Sequence, residues 1–143
     1  MIQFKRIGNH DLSIPHRAYD EAAAFDMCAA ETAVIYPGQT KLIPLGFSVN
    51  LNGHAALLLP RSGLGNKGLV LGNLVGLIDP DYRGELKASL WNRNNEGEPF
   101  CISYGDKVCQ MMIVNFVAPV VKEVFDLEDT VRGHGGFGSS DNV

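Results

Sequence analysis

Frequent chain breaks are the feature that most limits the fold of this sequence. Its 143 residues include 16 glycines and 7 prolines, and these divide the chain into short apolar runs. Such runs favour strands, whereas only residues 19–24 have a helix-friendly composition, and that segment is short. We therefore predict an all-β domain of the sandwich, barrel or jelly-roll type. The predicted strands cover residues 2–7, 25–29, 32–36, 40–50, 55–59, 69–71, 75–78, 85–92, 100–102, 108–116 and 121–125.

Composition limits the classes of partner. Hydrophobic residues make up 45% of the chain and charged residues 20%, which is typical of a globular domain. The formal net charge of -4 argues against a nucleic-acid partner, because binding a long phosphate polymer relies on many Lys and Arg contacts. A small polyphosphate ligand needs only a few local cations and stays compatible with this charge.

Cysteine usage and hydropathy indicate the compartment. The three cysteines, Cys28, Cys101 and Cys109, have no C-x-x-C spacing, so we expect buried, reduced thiols. The first residues lack the apolar stretch of a signal peptide, and no apolar run reaches membrane-spanning length. We expect a protein without a membrane partner that works in a reducing, cytoplasmic compartment.

A glycine-rich segment at residues 60–68 follows an apolar strand and carries cations at Arg61 and Lys67. Clustered backbone N–H groups and an Arg fork can hold phosphate, although a plain glycine-rich turn is the simpler alternative. The segment also matches G-x-G-x-x-G, with Glu85 at the distance of a ribose-binding acid. This pattern is typical of a dinucleotide-binding fold, which needs a helix that starts in the loop. The residues that follow the loop instead have the composition of strands. The Walker pattern fails because Leu69 stands where Lys is required.

Two carboxylates are candidates for chemistry. Asp79 ends an apolar run, so we expect it half-buried at the edge of the core, where it could act as a general base. The sequence Asp79-Pro80-Asp81-Tyr82 is equally typical of a β-turn, and a turn can present a catalytic side chain. Asp26 interrupts an apolar stretch and could serve Mg²⁺ or cap a turn.

The other polar and aromatic residues give weaker signals. The four histidines are dispersed and have no zinc-ligand spacing. Ser62 lacks the G-x-S-x-G context of a serine hydrolase, and Trp91 alternates with apolar neighbours, which predicts core packing. Residues 132–140 combine Arg132 and Phe137 with glycines, as expected of a frayed terminus or of an arm that orders on a ligand.

Five of these segments, taken in order, resemble the five motifs of the trimeric dUTPase family. They are residues 24–27, 60–64, 72–86, 105–110 and 132–140, and together they span nearly the whole chain. The resemblance implies a jelly-roll-like β-subunit over residues 1–131, a homotrimer with active sites between subunits, and a glycine-rich arm over 132–143 that closes a neighbour's site. The sequence departs from the family pattern in the loop at 65–69, which is one residue short, and at Ala24, where Gly is common.

The resemblance also implies an activity, namely hydrolysis of dUTP to dUMP and pyrophosphate by water attack on the α-phosphorus. This reaction keeps uracil out of DNA and supplies dUMP for dTMP synthesis. Asp79 would be the general base, and Asp26 would orient Mg²⁺ through water. Uracil would bind to Asn73 and to the hairpin backbone between residues 71 and 78, Gly76 included. Tyr82 would contact the deoxyribose. The phosphates would be contacted by Arg61, Ser62, Gly63 and Gln110, and the γ-phosphate by Arg132 and Ser139. Phe137, with Gly138, would lie over uracil.

Two alternatives share this resemblance. A dCTP deaminase has the same fold but attacks the cytosine ring, usually with a Glu as the acid-base group. A dUTP-responsive interaction protein would use ordering of the tail to signal nucleotide to a partner. Asp79, Tyr82 and the tail fit the triphosphatase pattern, so we expect the hydrolase.

Overall fold

Short strands make up nearly all the regular structure of residues 1–137, which are the residues described by the structure, a computed structural model. A single six-residue helix, α1 (Ser62–Lys67), accompanies them within these residues. In chain order the strands are β1 (Gln3–Arg6), β2 (Phe25–Cys28), β3 (Ala33–Ile35), β4 (Thr40–Pro44), β5 (Phe47–Asn50), β6 (Ala55–Leu59), β7 (Leu69–Leu71), β8 (Gly76–Ile78), β9 (Lys87–Asn92), β10 (Phe100–Ile102) and β11 (Lys107–Val114).

The strands form small antiparallel sheets around one core. The largest has the order β2-β11-β6-β8, and a three-stranded sheet has the order β4-β9-β7. The pairs β1-β5 and β3-β10 complete the enclosure. Every strand pairing in residues 1–137 is antiparallel, which excludes the doubly wound parallel sheet of a dinucleotide-binding fold. The predicted all-β, jelly-roll-like architecture is confirmed.

The core explains why such short strands hold together. Strands from several sheets each point alternate residues inward, as in β9, where Ala88, Leu90 and Asn92 are buried. Asn92 is the polar exception, and its side-chain amide donates to the Ile35 carbonyl at 3.0 Å. The fully buried apolar side chains include Met27, Ile35, Ile43, Leu45, Leu51, Leu69, Leu71, Leu86, Leu90 and Met111.

Two of the strand predictions were wrong. Residues 40–50 form two strands rather than one, because Gly46 takes a positive φ of 75° and turns the chain between β4 and β5. Residues 121–125 form no strand, and the whole stretch from 115 to 137 lies in irregular structure. Val121 and Phe125 are almost fully exposed, and a strand cannot form without a neighbour to pair with.

Other expectations about single residues need correction. The glycine-rich segment at 60–68 contains a short helix, α1, where a loop was predicted, whereas the strands predicted after it are present as β7 and β8. Trp91 is half-buried rather than a core residue. Cys109 is buried, and this burial raises the pKa of its thiol to about 12, but Cys28 is half-buried and Cys101 is exposed. No helix in residues 1–137 is long and apolar enough to cross a membrane.

Leu90 provides a test of the core. Its side chain is 1% exposed in the middle strand of the β4-β9-β7 sheet. We expect Leu90→Ala to lower the free energy of unfolding by about 2–5 kcal/mol, since it removes apolar burial and leaves a cavity. Chemical denaturation would measure this, with Leu42→Ala as the control because Leu42 is 66% exposed in the adjacent strand. Equal losses in both variants would contradict the assigned core.

Candidate active site

A polar cavity of about 330 Å³ opens beside the edge of the four-stranded sheet. Asp26 on β2 lies opposite Gln110 on β11, and Gln110 lies opposite Leu59, the last residue of β6. Arg61 follows two residues later, so the register of three strands brings these side chains together. The cavity is lined by Ala18, Tyr19, Ala22, Ala23, Ala24, Asp26, Arg61, Ser62, Gly63 and Gln110.

Cations surround the Asp26 carboxylate. The Lys107 ammonium lies 2.7 Å from its Oδ2, and Nε of Arg61 lies 3.4 Å from its Oδ1. The Arg61 guanidinium also donates to the Lys107 carbonyl at 3.2 Å, which fixes its orientation. The Asp26 side chain is only 14% exposed, so screening by water is reduced and the pairs hold the carboxylate in place.

The floor of the cavity is built by the start of α1. Arg61 is extended, with φ -87° and ψ 138°, and Ser62 and Gly63 then begin the helix. The first backbone N–H groups of a helix have no partner within it, so those of Ser62 and Gly63 are available to an anion. The Gln110 side-chain amide donates to the Pro60 carbonyl at 2.9 Å and braces the turn into the helix. This corner of the chain can therefore bind phosphate.

The donor set fits a metal ion that arrives with phosphate. No cluster of three or more His, Cys, Asp or Glu residues suited to a metal occurs in residues 1–137. Mg²⁺ keeps several waters and is commonly held by one or two carboxylates plus substrate phosphates. Asp26, a single carboxylate that lines the polar cavity, matches that mode rather than a protein cage.

A second candidate element is the connection between β7 and β8. The family resemblance implied a hairpin here, but β7 is an edge strand of one sheet and β8 an edge strand of another. A tight turn joins them, in which the Leu74 N–H donates to the Leu71 carbonyl at 3.0 Å and Leu74 takes a φ of 62°. Edge strands carry backbone donors and acceptors that are free to pair with a flat polar ring.

Asn73 and Gly76 lie side by side in this connection. A Cβ added to Gly76 would stand 3.3 Å from Nδ2 of Asn73 and 3.1 Å from Cβ of Leu58. Glycine therefore leaves the space in which the Asn73 amide sits. The exposed Asn73 amide thus lies directly beside the start of the edge strand β8.

Residues 79–82 form the turn that their composition predicted. The Tyr82 N–H lies 3.2 Å from the Asp79 carbonyl, and the Tyr82 hydroxyl donates to the Glu85 carbonyl at 3.0 Å. The Arg83 guanidinium donates to the carbonyls of Pro80 and Tyr82 at 2.7 and 2.9 Å, which holds the turn rigid. Asp79 is exposed in the chain, so the expectation of a half-buried carboxylate was wrong: the apolar run ends at Ile78, and the turn carries Asp79 outward.

The phosphate cavity and the Asp79 turn lie far apart in one chain. In the pairing of β6 with β8, Ile78 lies opposite Ala56, which puts Asp79 level with Ala55. Arg61 lies six residues beyond Ala55, along β6 and past its end. At the rise of an extended strand this corresponds to roughly 20 Å. One copy of the chain cannot present both groups to the same phosphorus atom.

The tail residues are only partly described. Arg132 uses its Nε to donate to the Gly135 carbonyl at 2.8 Å, and Phe137 is fully exposed. Neither residue lies at the cavity in the single chain. Gly138 and Ser139 lie outside the described residues.

Two features of the site were missed at the sequence level. Lys107, the first residue of β11, pairs with Asp26, and its place within the segment 105–110 was the available signal. Residues 18–24 form one wall of the cavity, with Tyr19 largely exposed beside it. Apart from Ala24, which belongs to the first motif, no motif pointed to this wall, because its alanines carry no chemistry of their own.

Comparison with known proteins identifies the family. A family model described as dUTPase matches residues 10–141. The chain belongs to the dUTPase family. Among curated dUTPases, named deoxyuridine 5'-triphosphate nucleotidohydrolase, that of Hahella chejuensis is 51% identical over 141 residues, which cover 95% of this chain and 91% of that protein. The dUTPase of Haemophilus influenzae is 49% identical over 140 residues, covering 94% and 91%.

Solved dUTPases share the fold. The dUTPase of Staphylococcus bacteriophage 80alpha, solved with dUpNHpp, superposes with a TM-score of 0.87 at 26% identity, covering 97% of each chain. A dUTPase from phage phi11 of S. aureus, described with a structural Mg(II) ion, gives a TM-score of 0.82 at 25% identity, covering 90% of this chain and 99% of that one. The β-architecture is thus that of dUTPases over nearly its full length.

Proposed function

We propose that the chain hydrolyses dUTP at a site assembled from more than one copy. The reaction follows from the family: the chain is a dUTP diphosphatase that releases dUMP and pyrophosphate. The observation that carries the assembled site is the separation of roughly 20 Å between Arg61 and Asp79 within one chain, estimated from strand rise. An enzyme that needs both groups at one α-phosphorus must take them from two subunits.

A closed homotrimer accounts for the exposed apolar surface. Val117, Val120, Phe125 and Val131 are each at least 87% exposed in the single chain. Soluble chains seldom expose so many apolar side chains in one stretch unless another surface covers them. In the proposed trimer this stretch packs on a neighbouring copy and brings residues 132–143 to that copy's site.

The free cysteines suit a reducing, cytoplasmic compartment.

Uracil is proposed to bind in the gap between β7 and β8. Its N3–H and two carbonyls alternate as donor and acceptors, which suits pairing with the free edge backbone and the Asn73 amide. Cytosine presents an amino donor where uracil presents O4, so a backbone N–H there favours uracil. The methyl group of thymine needs space that the narrow turn around Gly76 does not leave.

Tyr82 is proposed to pack against the deoxyribose and leave no room for a 2′-hydroxyl. We expect Tyr82→Ala to reduce the preference for dUTP over UTP by roughly 10- to 100-fold, since it removes the steric conflict. The ratio of kcat/KM for the two substrates measures this, and Tyr36→Ala serves as an exposed tyrosine control. An unchanged ratio in Tyr82→Ala would remove Tyr82 from sugar selection.

At the phosphates, Asp79 of one copy is proposed to take the proton from the attacking water. Arg61 and the backbone N–H groups of Ser62 and Gly63 in another copy would hold the phosphates, with Gln110 near the α-phosphate. Phosphoryl transfer depends chiefly on such positioning and charge stabilisation. Asp26 would orient Mg²⁺ through its water shell, and the ion when bound supplies neutralisation of phosphate charge.

The arm is proposed to act as a lid. Arg132 and Ser139 would bind the γ-phosphate, and Phe137, followed by Gly138, would stack on uracil. Glycines at 133, 135, 136 and 138 let the backbone approach the nucleotide closely. A lid that orders on substrate excludes water and completes the site.

Pyrophosphate release with Mg²⁺ tests the proposal, using dUTP, UTP, dCTP and dTTP at equal concentrations. Release from dUTP alone is expected, because each competitor conflicts with one part of the site. Release from UTP at a similar rate would contradict the role of Tyr82. Absence of release from dUTP, together with ammonia release from dCTP, would favour a deaminase of the same fold.

A further inference from the structure

Lys107 is a charged residue at the site with no role in the proposed reaction. Its ammonium lies 2.7 Å from Oδ2 of Asp26, while Arg61 occupies the other carboxylate oxygen at 3.4 Å. Both oxygens of the carboxylate that faces the phosphates therefore already have a cation. The side chain of Lys107 is 40% exposed, so its ion pair is not forced by burial of the lysine.

Lys107 reaches Asp26 from a second cavity and not from the phosphate cavity. Lys107 lines a second cavity of about 440 Å³, together with Phe100, Ile102 and Val108. Asp26 lines the phosphate cavity instead, and Arg61 borders both. The Asp26-Lys107 pair thus crosses the wall between the two cavities, and it leaves the phosphate-facing side of the carboxylate open.

We propose that Lys107 is a positioning residue that restricts Asp26 to water-mediated contact with Mg²⁺. This inference rests on the proposed binding of dUTP with Mg²⁺ at this cavity. Direct ligation would bring a divalent ion close to the Lys107 ammonium on a poorly solvated carboxylate, where repulsion is weakly screened. A water ligand of Mg²⁺ can instead donate to the free lone pairs of Asp26 while the lysine keeps its place.

Removing the lysine charge gives a result that a merely structural role would not give. With Lys107→Met, Asp26 loses its nearest cation and attracts Mg²⁺ more strongly. The ion then contributes more to nucleotide affinity. If Lys107 only maintains the structure of the strand, the nucleotide affinities measured with and without Mg²⁺ change by the same factor, and their ratio stays constant.

Calorimetric titration with an imido analogue of dUTP measures that ratio, once in Mg²⁺ and once in EDTA. We expect the dissociation constant in EDTA, divided by that in Mg²⁺, to rise roughly fivefold or more in Lys107→Met. This is within the usual range of coupling between two ligands. Lys107→Arg keeps the charge, and Lys41→Met removes an exposed lysine elsewhere on β4. Both controls are expected to stay near the wild-type ratio.

A second pair of variants tests whether the effect passes through Asp26. With Asp26→Asn in the background, Lys107→Met is expected to change the ratio little, because the coupling between the two residues is then absent. A constant ratio in Lys107→Met, or the same rise in the Asp26→Asn background, would overturn the inference while leaving nucleotide binding intact. Failure of the folded wild-type protein to bind the analogue at all would overturn the proposed function as well.

Discussion

Replacement of Asp79 by Asn is expected to lower the turnover of dUTP by roughly 10²–10⁴-fold, the contribution typical of a positioned general base. The amide keeps the size of the side chain but cannot take a proton from water. The side chain is exposed, and the turn is held by the Tyr82 N–H on the Asp79 carbonyl and by the Arg83 guanidinium on the Pro80 carbonyl. Stability should therefore remain within about 0.5 kcal/mol of wild type, as for most surface substitutions.

Asp81 provides the matched control for this variant. It is an exposed carboxylate in the same turn, two residues from Asp79. Steady-state pyrophosphate release should be almost unchanged in Asp81→Asn. Normal turnover in Asp79→Asn, or an equal loss in the two variants, would remove Asp79 from the role of base.

Replacement of Arg61 by Ala is expected to lower kcat/KM for dUTP by roughly 10²–10³-fold, as when a preorganised donor to developing charge is lost. The substitution removes a cation from the phosphate cavity and one of the two partners of Asp26. It also removes the hydrogen bond from the guanidinium to the Lys107 carbonyl. Both the affinity for dUTP and its turnover should therefore fall.

Two controls separate charge from geometry at Arg61. Arg61→Lys keeps a positive charge without the planar fork, so it should recover only part of the loss. Lys67→Ala removes the other cation of the same segment, but Lys67 stands at the far end of α1 and does not line the cavity. Its kcat/KM should stay within a few-fold of wild type, and a loss equal to that of Arg61→Ala would show that net charge alone matters.

Local features of this chain were predictable from sequence because they depend on neighbours along the chain. Alternation and turn residues located most strands, and Asp79-Pro80 predicted its turn correctly. The segment at 60–68, predicted to hold phosphate, contributes Arg61, Ser62 and Gly63 to a polar cavity, although the helix α1 within it was missed. Glycines weaken helix signals, and here tertiary packing overrides that weak preference.

Features that depend on distant pairing were not predictable. The separation of Asp79 from Arg61 follows from the register of β6 against β8, which no local pattern encodes. Lys107 reaches Asp26 across 81 positions of sequence. Residues 121–125 were predicted as a strand because their composition fits one, yet they pair with no strand of residues 1–137.

Mixing two inactive variants tests the assembled site most directly. Asp79→Asn and Arg61→Ala chains would be denatured together, refolded at equal concentrations and assayed for pyrophosphate release from dUTP. If each site takes Asp79 and Arg61 from different copies, random closed trimers contain intact sites, and activity should recover to about one quarter of wild type. Activity that stays at the level of the separate variants, with both chains folded in mixed oligomers, would contradict a site shared between subunits.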